Sequence, residues 1–133
     1  MNAQNAKRRF DDLDRALARL EEALAIPADA PLAIDGTIQR YEFVFELCWK
    51  AMKALFELEA PAAELGTPRA VIKAAFAAGW IDDETAWLDL LDMRNATSHT
   101  YREALARDVY HRIALHFAML KAATQQLKLR LPR

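Results

Sequence analysis

The chain has 133 residues, a mass of 15.1 kDa and a formal net charge of −1, enough for one hydrophobic core and not for two, so a single domain over residues 1–133 is expected. An apolar fraction of 53% beside 28% charged residues excludes a disordered chain, and the lone cysteine, Cys48, excludes an intramolecular disulfide and a CxxC metal site. No apolar run approaches the roughly 18 residues of a membrane span, and Asp11, Asp12 and Asp14 follow Lys7, Arg8 and Arg9 too closely for a signal peptide, so a cytoplasmic protein is expected.

The 27 Ala and 18 Leu far outnumber the 3 Val, 6 Ile and 6 Thr, which points to an all-α fold. The first helix is expected from about Ala6 to Ala25, with Phe10, Leu13, Leu17, Leu20 and Leu24 at steps of three and four. Pro27 stops it, and Pro27 to Ile34 reads as a linker. The second helix is expected from about Thr37 to Glu59, capped by Asp35 or Thr37. Tyr41, Phe45, Cys48, Met52 and Leu55 form one stripe of it, with Val44, Ala51 and Leu58 beside them. The remaining polar stripe, including Glu42, Glu46 and Lys50, is narrow and reads as a solvated face with an i,i+4 pair. A helix so apolar is central in a bundle or lies at a subunit interface, and a homodimer is expected from it. Thr67-Pro68 starts a short third helix that Gly79 ends. Asp82 or Asp83 caps a fourth, which carries Trp87, Leu88 and Leu91. A last helix from about Arg102 to Arg130 turns Val109, Ile113, Phe117, Leu120, Thr124 and Leu127 inward. The expected architecture is an up-and-down bundle of four main helices plus a short extra one.

Charge is unevenly spread. Residues 1–99 carry 11 basic and 17 acidic side chains, and residues 100–133 carry 7 and 2. Such a basic end suits an acidic partner or nucleic acid, or it offsets the negative pole of the last helix through Lys121, Lys128 and Arg130. Other candidates read as structural. His111 and His116 are too far around a helix to share a face, Cys48 is a buried small hydrophobe, and Trp80 and Trp87 belong to the core.

The segment Arg94-Asn95-Ala96-Thr97-Ser98-His99-Thr100-Tyr101 stands apart. On a helical wheel Arg94 falls with Trp87 and Leu91, on a face that should be buried. There a guanidinium needs a partner or a cleft, because leaving it dry and unpaired costs several kcal/mol. An arginine holds phosphate and developing negative charge, a histidine moves a proton near neutral pH, and a tyrosine hydroxyl holds a phosphate or accepts a covalent group. The bland alternative makes Arg94 a salt-bridge partner of Asp89 or Glu84, His99 a helix cap and Tyr101 a core residue. Chance predicts roughly 0.006 instances of Arg-x4-His-x-Tyr in a chain of this composition. No carboxylate pair or multi-histidine cluster accompanies the segment, so the expected chemistry takes place on phosphate without metal or cofactor.

This motif resembles the signature of HEPN-domain proteins, in particular the HepT-like toxins and the nucleotidyltransferase substrate-binding proteins. Tyr41-Glu-Phe-Val-Phe-Glu-Leu-Cys-Trp-Lys50, Thr67-Pro-Arg-Ala-Val-Ile-Lys-Ala-Ala-Phe76 and Trp87 agree with it in order, over roughly residues 8–128. The resemblance implies a helical homodimer in which Arg94 and His99 of both subunits meet in a cleft. It implies a metal-independent ribonuclease of a toxin–antitoxin pair, with Asn95 and Ser98 orienting the catalytic groups and RNA or nucleotide as substrate. It also implies a minimal nucleotidyltransferase, encoded nearby, that adds AMP to Tyr101. The rival from a different class is a non-catalytic subunit that presents a substrate to that nucleotidyltransferase, and a third reading is a purely structural dimer.

Overall fold

The computed structural model describes residues 3–61 and 64–132. It contains five α-helices: α1 (Ala3–Leu24), α2 (Ala33–Glu59), α3 (Pro68–Ala77), α4 (Glu84–Ala96) and α5 (Glu103–Lys128). One turn of 3₁₀-helix, Thr97–His99, joins α4 to α5, and no strand occurs among the described residues. The all-helical expectation holds, with four main helices and the ten-residue α3 as the short one.

The α2 helix is the hub. It packs against every other α-helix, most extensively against α1. Tyr41, Val44, Phe45, Cys48, Ala51, Met52 and Leu55 are all buried on it. Of the two places open to so apolar a helix, α2 occupies the centre of the bundle, so its apolar breadth does not by itself call for a second copy. Phe43 is the large apolar side chain that it leaves in water. The heptad-like seam of α1 closes one side with Phe10, Leu13, Leu17 and Leu20. The α5 helix closes another with Val109, Ile113, Leu120, Thr124 and Leu127, while Phe117 is only half-buried.

The start of α2 differs from expectation. The helix begins at Ala33, four residues before Thr37, and neither Asp35 nor Thr37 caps it. Leu32 stands at the cap with φ 65° and makes no side-chain cap bond. Thr37 lies inside the helix because its hydroxyl bonds back to the Ala33 carbonyl at 2.8 Å, which lets a capping residue type sit buried mid-helix. The other boundaries follow local chemistry. Thr67 accepts from the Ala70 N–H at 3.2 Å, and Asp83, not Asp82, accepts from the Ala86 N–H at 3.0 Å. Gly79, at φ 77°, ends α3. Its N–H bonds the Phe76 carbonyl and the Trp80 N–H bonds the Ala75 carbonyl, a double closure that needs a left-handed residue.

Leu90, Leu91 and Met93 bury α4 in this core, and two aromatic side chains tie it there. Trp87 is 2% exposed, and the Tyr41 hydroxyl donates to the Leu90 carbonyl. Trp87→Ala should therefore cost about 3–5 kcal/mol, through lost burial and a residual cavity. Tyr41→Phe, which keeps the ring and loses one donor, should cost about 1 kcal/mol. Urea unfolding followed by circular dichroism separates the two.

Candidate functional site

The polar segment expected to carry chemistry forms the end of α4 and the turn that leads into α5. Its hydroxyls satisfy carbonyls that the ending helix leaves open. Thr97 donates to the Arg94 carbonyl at 2.7 Å, Ser98 to the Asn95 carbonyl at 3.3 Å, and Thr100 to the Thr97 carbonyl at 3.0 Å. The Arg102 N–H closes on the His99 carbonyl at 3.2 Å. This string of local bonds turns the chain without glycine and holds positions 94–101 in one compact bend.

Arg94 is half-buried, 33% exposed, at the boundary of core and solvent. Neither Asp89 nor Glu84 pairs with it. One terminal nitrogen donates to Glu46 on α2, and the other donates to the Asn95 side-chain oxygen at 3.2 Å. The guanidinium carbon lies 5.8 Å from the centre of the Phe45 ring. Glu46 is held in turn by the Trp49 indole N–H at 3.2 Å and by Lys50 at 3.8 Å. Partial burial pushes the Glu46 carboxyl up, but the hydrogen bonds from Arg94 and Trp49 outweigh it and hold the group below its ordinary value. Glu46 is therefore an ionised clamp on the arginine. Its spacing to Lys50 marks it as part of a solvated stripe, and nothing along the chain links it to a residue 48 positions away.

His99 and Tyr101 project outward. His99 is exposed, and no hydrogen bond joins it to Arg94 among the described residues. Its ring meets the Tyr101 ring edge-on at 6.3 Å. Tyr101 is 78% exposed, so it is no core residue, and the Arg102 guanidinium lies 6.0 Å from its ring centre. Ser98 and Asn95 are exposed beside them. Asn95 touches the arginine directly, whereas the Ser98 hydroxyl is engaged with the backbone.

A second charged cluster lies on the outer faces of α4 and α5. Arg112 is bonded to Asp89, to Asp92 at 3.1 Å and to Asp108 at 3.3 Å. His116 reaches the other Asp89 oxygen at 2.8 Å. The Arg112 guanidinium is pushed up, first by its bond to Asp89. Burial works to raise the Asp89 carboxyl, but its bonds to Arg112 and His116 hold it low. His116 is thus a partner of α4, and His111 stays exposed beside the Tyr110 ring. Elsewhere, burial pushes the Cys48 thiol up to about 12, which leaves it unreactive. Trp80 stacks on Phe56 with 4.0 Å between ring centres.

Comparison with known proteins decides the family. The profile of the family described as "Nucleotidyltransferase substrate binding protein like" matches residues 8–129. The chain belongs to that family. One curated relative of this family member is the "Probable ribonuclease HepT" of Haemophilus influenzae, 39% identical over 83 residues. That match spans 60% of this chain and 57% of the relative's length. Among solved structures, a Thermus thermophilus protein is similar with a TM-score of 0.74 and 32% identity, over 91% of this chain and 99% of that one. A Haemophilus influenzae protein, described as revealing the fold of a substrate-binding domain of a nucleotidyltransferase, is similar with a TM-score of 0.69 and 28% identity. That likeness covers 96% of this chain and 99% of the other. Among the described residues of this nucleotidyltransferase substrate-binding-protein-like chain, no helix is long and apolar enough to cross a membrane.

The Asp89 cluster generates a test of its own. A carboxyl held low in the folded state stabilises the fold above the ordinary aspartate pKa, and that stabilisation is lost as pH falls below it. Asp89→Asn should therefore cost about 1–3 kcal/mol near pH 7. The difference from wild type should shrink below about pH 4. Urea midpoints measured on both sides of that pH check the sign.

Proposed function

We propose that this chain is a HEPN-type ribonuclease toxin that works as a homodimer, without metal, under the control of a partner minimal nucleotidyltransferase. One observation carries the reading. A single bend, closed by its own hydrogen bonds, presents a clamped arginine, an open histidine and an open tyrosine hydroxyl on one stretch of surface. The likeness to a relative named as a probable ribonuclease supports it.

Arg94 takes the scissile phosphate. Glu46 and Asn95 engage one hydrogen on each of two terminal nitrogens, and the remaining N–H groups are available to phosphate oxygens. The clamp fixes the guanidinium before substrate arrives, so it stabilises the charge that builds up at pentacoordinate phosphorus with little reorganisation. His99 moves the proton. The 2′-oxygen bonds to phosphorus as its proton leaves, the bond to the 5′-oxygen breaks, and that oxygen is protonated. The products are a 2′,3′-cyclic phosphate and a 5′-hydroxyl. A second protomer facing the first across a cleft supplies a second histidine, so that one ring accepts a proton while the other donates. Tyr101 is the point of control. An adenylyl group on its oxygen would put a phosphodiester near Arg102 and His99, blocking RNA sterically and competing for the arginines.

The second reading, a non-catalytic subunit that offers a substrate to a separate nucleotidyltransferase, is favoured by the description of the similar Haemophilus influenzae structure. The two readings part in one experiment. Arg94→Ala and His99→Ala should each remove RNA cleavage by more than about a hundredfold, with helical circular dichroism intact and wild-type cleavage persisting in EDTA. Cleavage that survives both substitutions, or that needs a divalent ion, rejects the mechanism. Wild-type protein that cleaves no RNA moves the assignment to the substrate-binding subunit. Light scattering should give twice the 15.1 kDa chain mass.

Control is tested separately. Co-expression with the cognate nucleotidyltransferase should add one or more AMP units to wild type by intact mass and none to Tyr101→Phe, which should still fold and cleave. Full inhibition with an unmodified Tyr101 would mean that the partner acts by binding alone.

A further inference from the structure

The basic residues of α5 and of the turn that follows it are largely neutralised inside the molecule. Arg107 pairs with Glu103, Arg112 with three aspartates, Lys121 with Glu21, Lys128 with Asp14 and Arg130 with Glu59. The seam between α1 and α2 is neutralised less completely. A groove of about 500 Å³ there is lined by Arg15, Arg19 and Arg40 with Gln39, Phe43 and Leu47, and no carboxylate lines it. The Arg19 guanidinium has no hydrogen-bond or ion-pair partner among the described residues. Arg15 and Arg40 reach carboxylates outside the lining, Asp12 at 3.1 Å and Glu22 at 3.8 Å. Phe43 is 57% exposed, a phenyl ring set in water among three cations.

The same seam continues in one direction. A smaller groove farther along α2 is lined by Arg9, Lys50 and Lys53 beside the half-buried Trp49, with Glu57 its one carboxylate. From Arg40 to Lys53 the helix advances roughly 20 Å. Phe43 stands one turn before Glu46, on the neighbouring strip of the helix, and Lys50 pairs with Glu46 at 3.8 Å. Glu46 is the residue that clamps Arg94. The cationic, aromatic-studded seam is therefore joined, through Lys50 and Glu46, to the arginine assigned to the scissile phosphate.

We infer that this seam is the binding path for single-stranded RNA, an inference that rests on the ribonuclease reading and extends it beyond the reacting phosphate. Guanidinium groups take phosphates in bidentate fashion, and an exposed aromatic ring accepts a stacked base of any sequence. The combination of a positive groove and a stacking ring suits a flexible strand whose bases are free, because a paired base has no open face to offer. The charge that binds RNA thus lies on the acidic N-terminal part of the sequence, and the basic C-terminal helix serves the scaffold.

The test uses the full chain carrying His99→Ala, so that substrate survives, with a short fluorescein-labelled oligouridylate followed by anisotropy between about 50 and 200 mM salt. Arg19→Glu should weaken binding by more than about tenfold and lower the slope of log affinity against log salt by about one. Phe43→Ala should weaken binding by about tenfold with the salt slope unchanged, and Phe43→Trp should restore it. Arg69→Glu, on the exposed surface of α3, should change neither. Should Arg19→Glu fail to fold, Arg19→Gln carries the same expectation with a smaller loss. Binding by the parent protein that none of the seam variants alters overturns this inference and leaves the ribonuclease reading standing. A parent that binds no RNA overturns both. Loss of the dimer in Arg19→Glu or Phe43→Ala by light scattering, with RNA affinity kept, overturns it in favour of an interface between copies.

Discussion

A helix that touches all its neighbours has little surface left to offer water, and α2 is in that position. Tyr41, Phe45, Cys48, Met52 and Leu55 are buried in one continuous core. The chain's options for placing polar groups on this helix shrink to a narrow outer face, with Gln39, Glu42, Glu46 and Lys50 on one strip and Arg40 and Phe43 next to it. Everything functional that α2 contributes must come from that face. Glu46 fixes Arg94 from it, and Phe43 and Lys50 stand on either side. Anchoring the arginine to the most buried helix gives it a fixed origin while its outer edge faces solvent. A carboxylate in a loop would not provide this, because its own position would fluctuate with the loop.

Electrostatics divides along the same line. The positive α5 helix and the negative faces of α1 and α4 attract one another, and the resulting pairs lie across helix boundaries: Lys121 to Glu21, Lys128 to Asp14, Arg112 to Asp89. Individually such half-exposed pairs contribute little, about 0–1 kcal/mol each. Together they select which helix faces meet, since a rotated α5 would oppose arginine to apolar surface. Arg40 does the same between α2 and α1 through Glu22, whereas Arg19 on α1 is left without that duty.

Much of this was legible along the chain. Apolar spacing located α1, α2 and α5, cap and stop residues located α3 and α4, and the unusual polarity of residues 94–101 marked the segment that the fold then collects into one bend. Asp83, Thr67 and Gly79 act as the end signals that their chemistry requires. Three features were not legible, each for a physical reason. Glu46 looked like half of an i,i+4 pair with Lys50, and that pair forms, but its stronger bond is to an arginine on another helix. The α2 helix starts early because Thr37 satisfies its hydroxyl within the helix, an option that residue type alone does not disclose. The counting of charge by sequence segment pointed at α5, whereas neutralisation depends on which helices pack side by side, a property of the tertiary arrangement.

Tyr101 sits on a bend whose internal bonds involve the backbone and the hydroxyls of Thr97, Ser98 and Thr100, and its own oxygen takes no part in them. Chemistry at that oxygen is therefore mechanically uncoupled from the bundle. A group attached there need not pry open a helix, strain a packed ring or break a buried bond, and its removal returns the same molecule. Such a residue can gain or lose a regulatory role over evolutionary time at almost no cost to folding, whereas Tyr41, whose hydroxyl is bonded inside the core, has no such freedom.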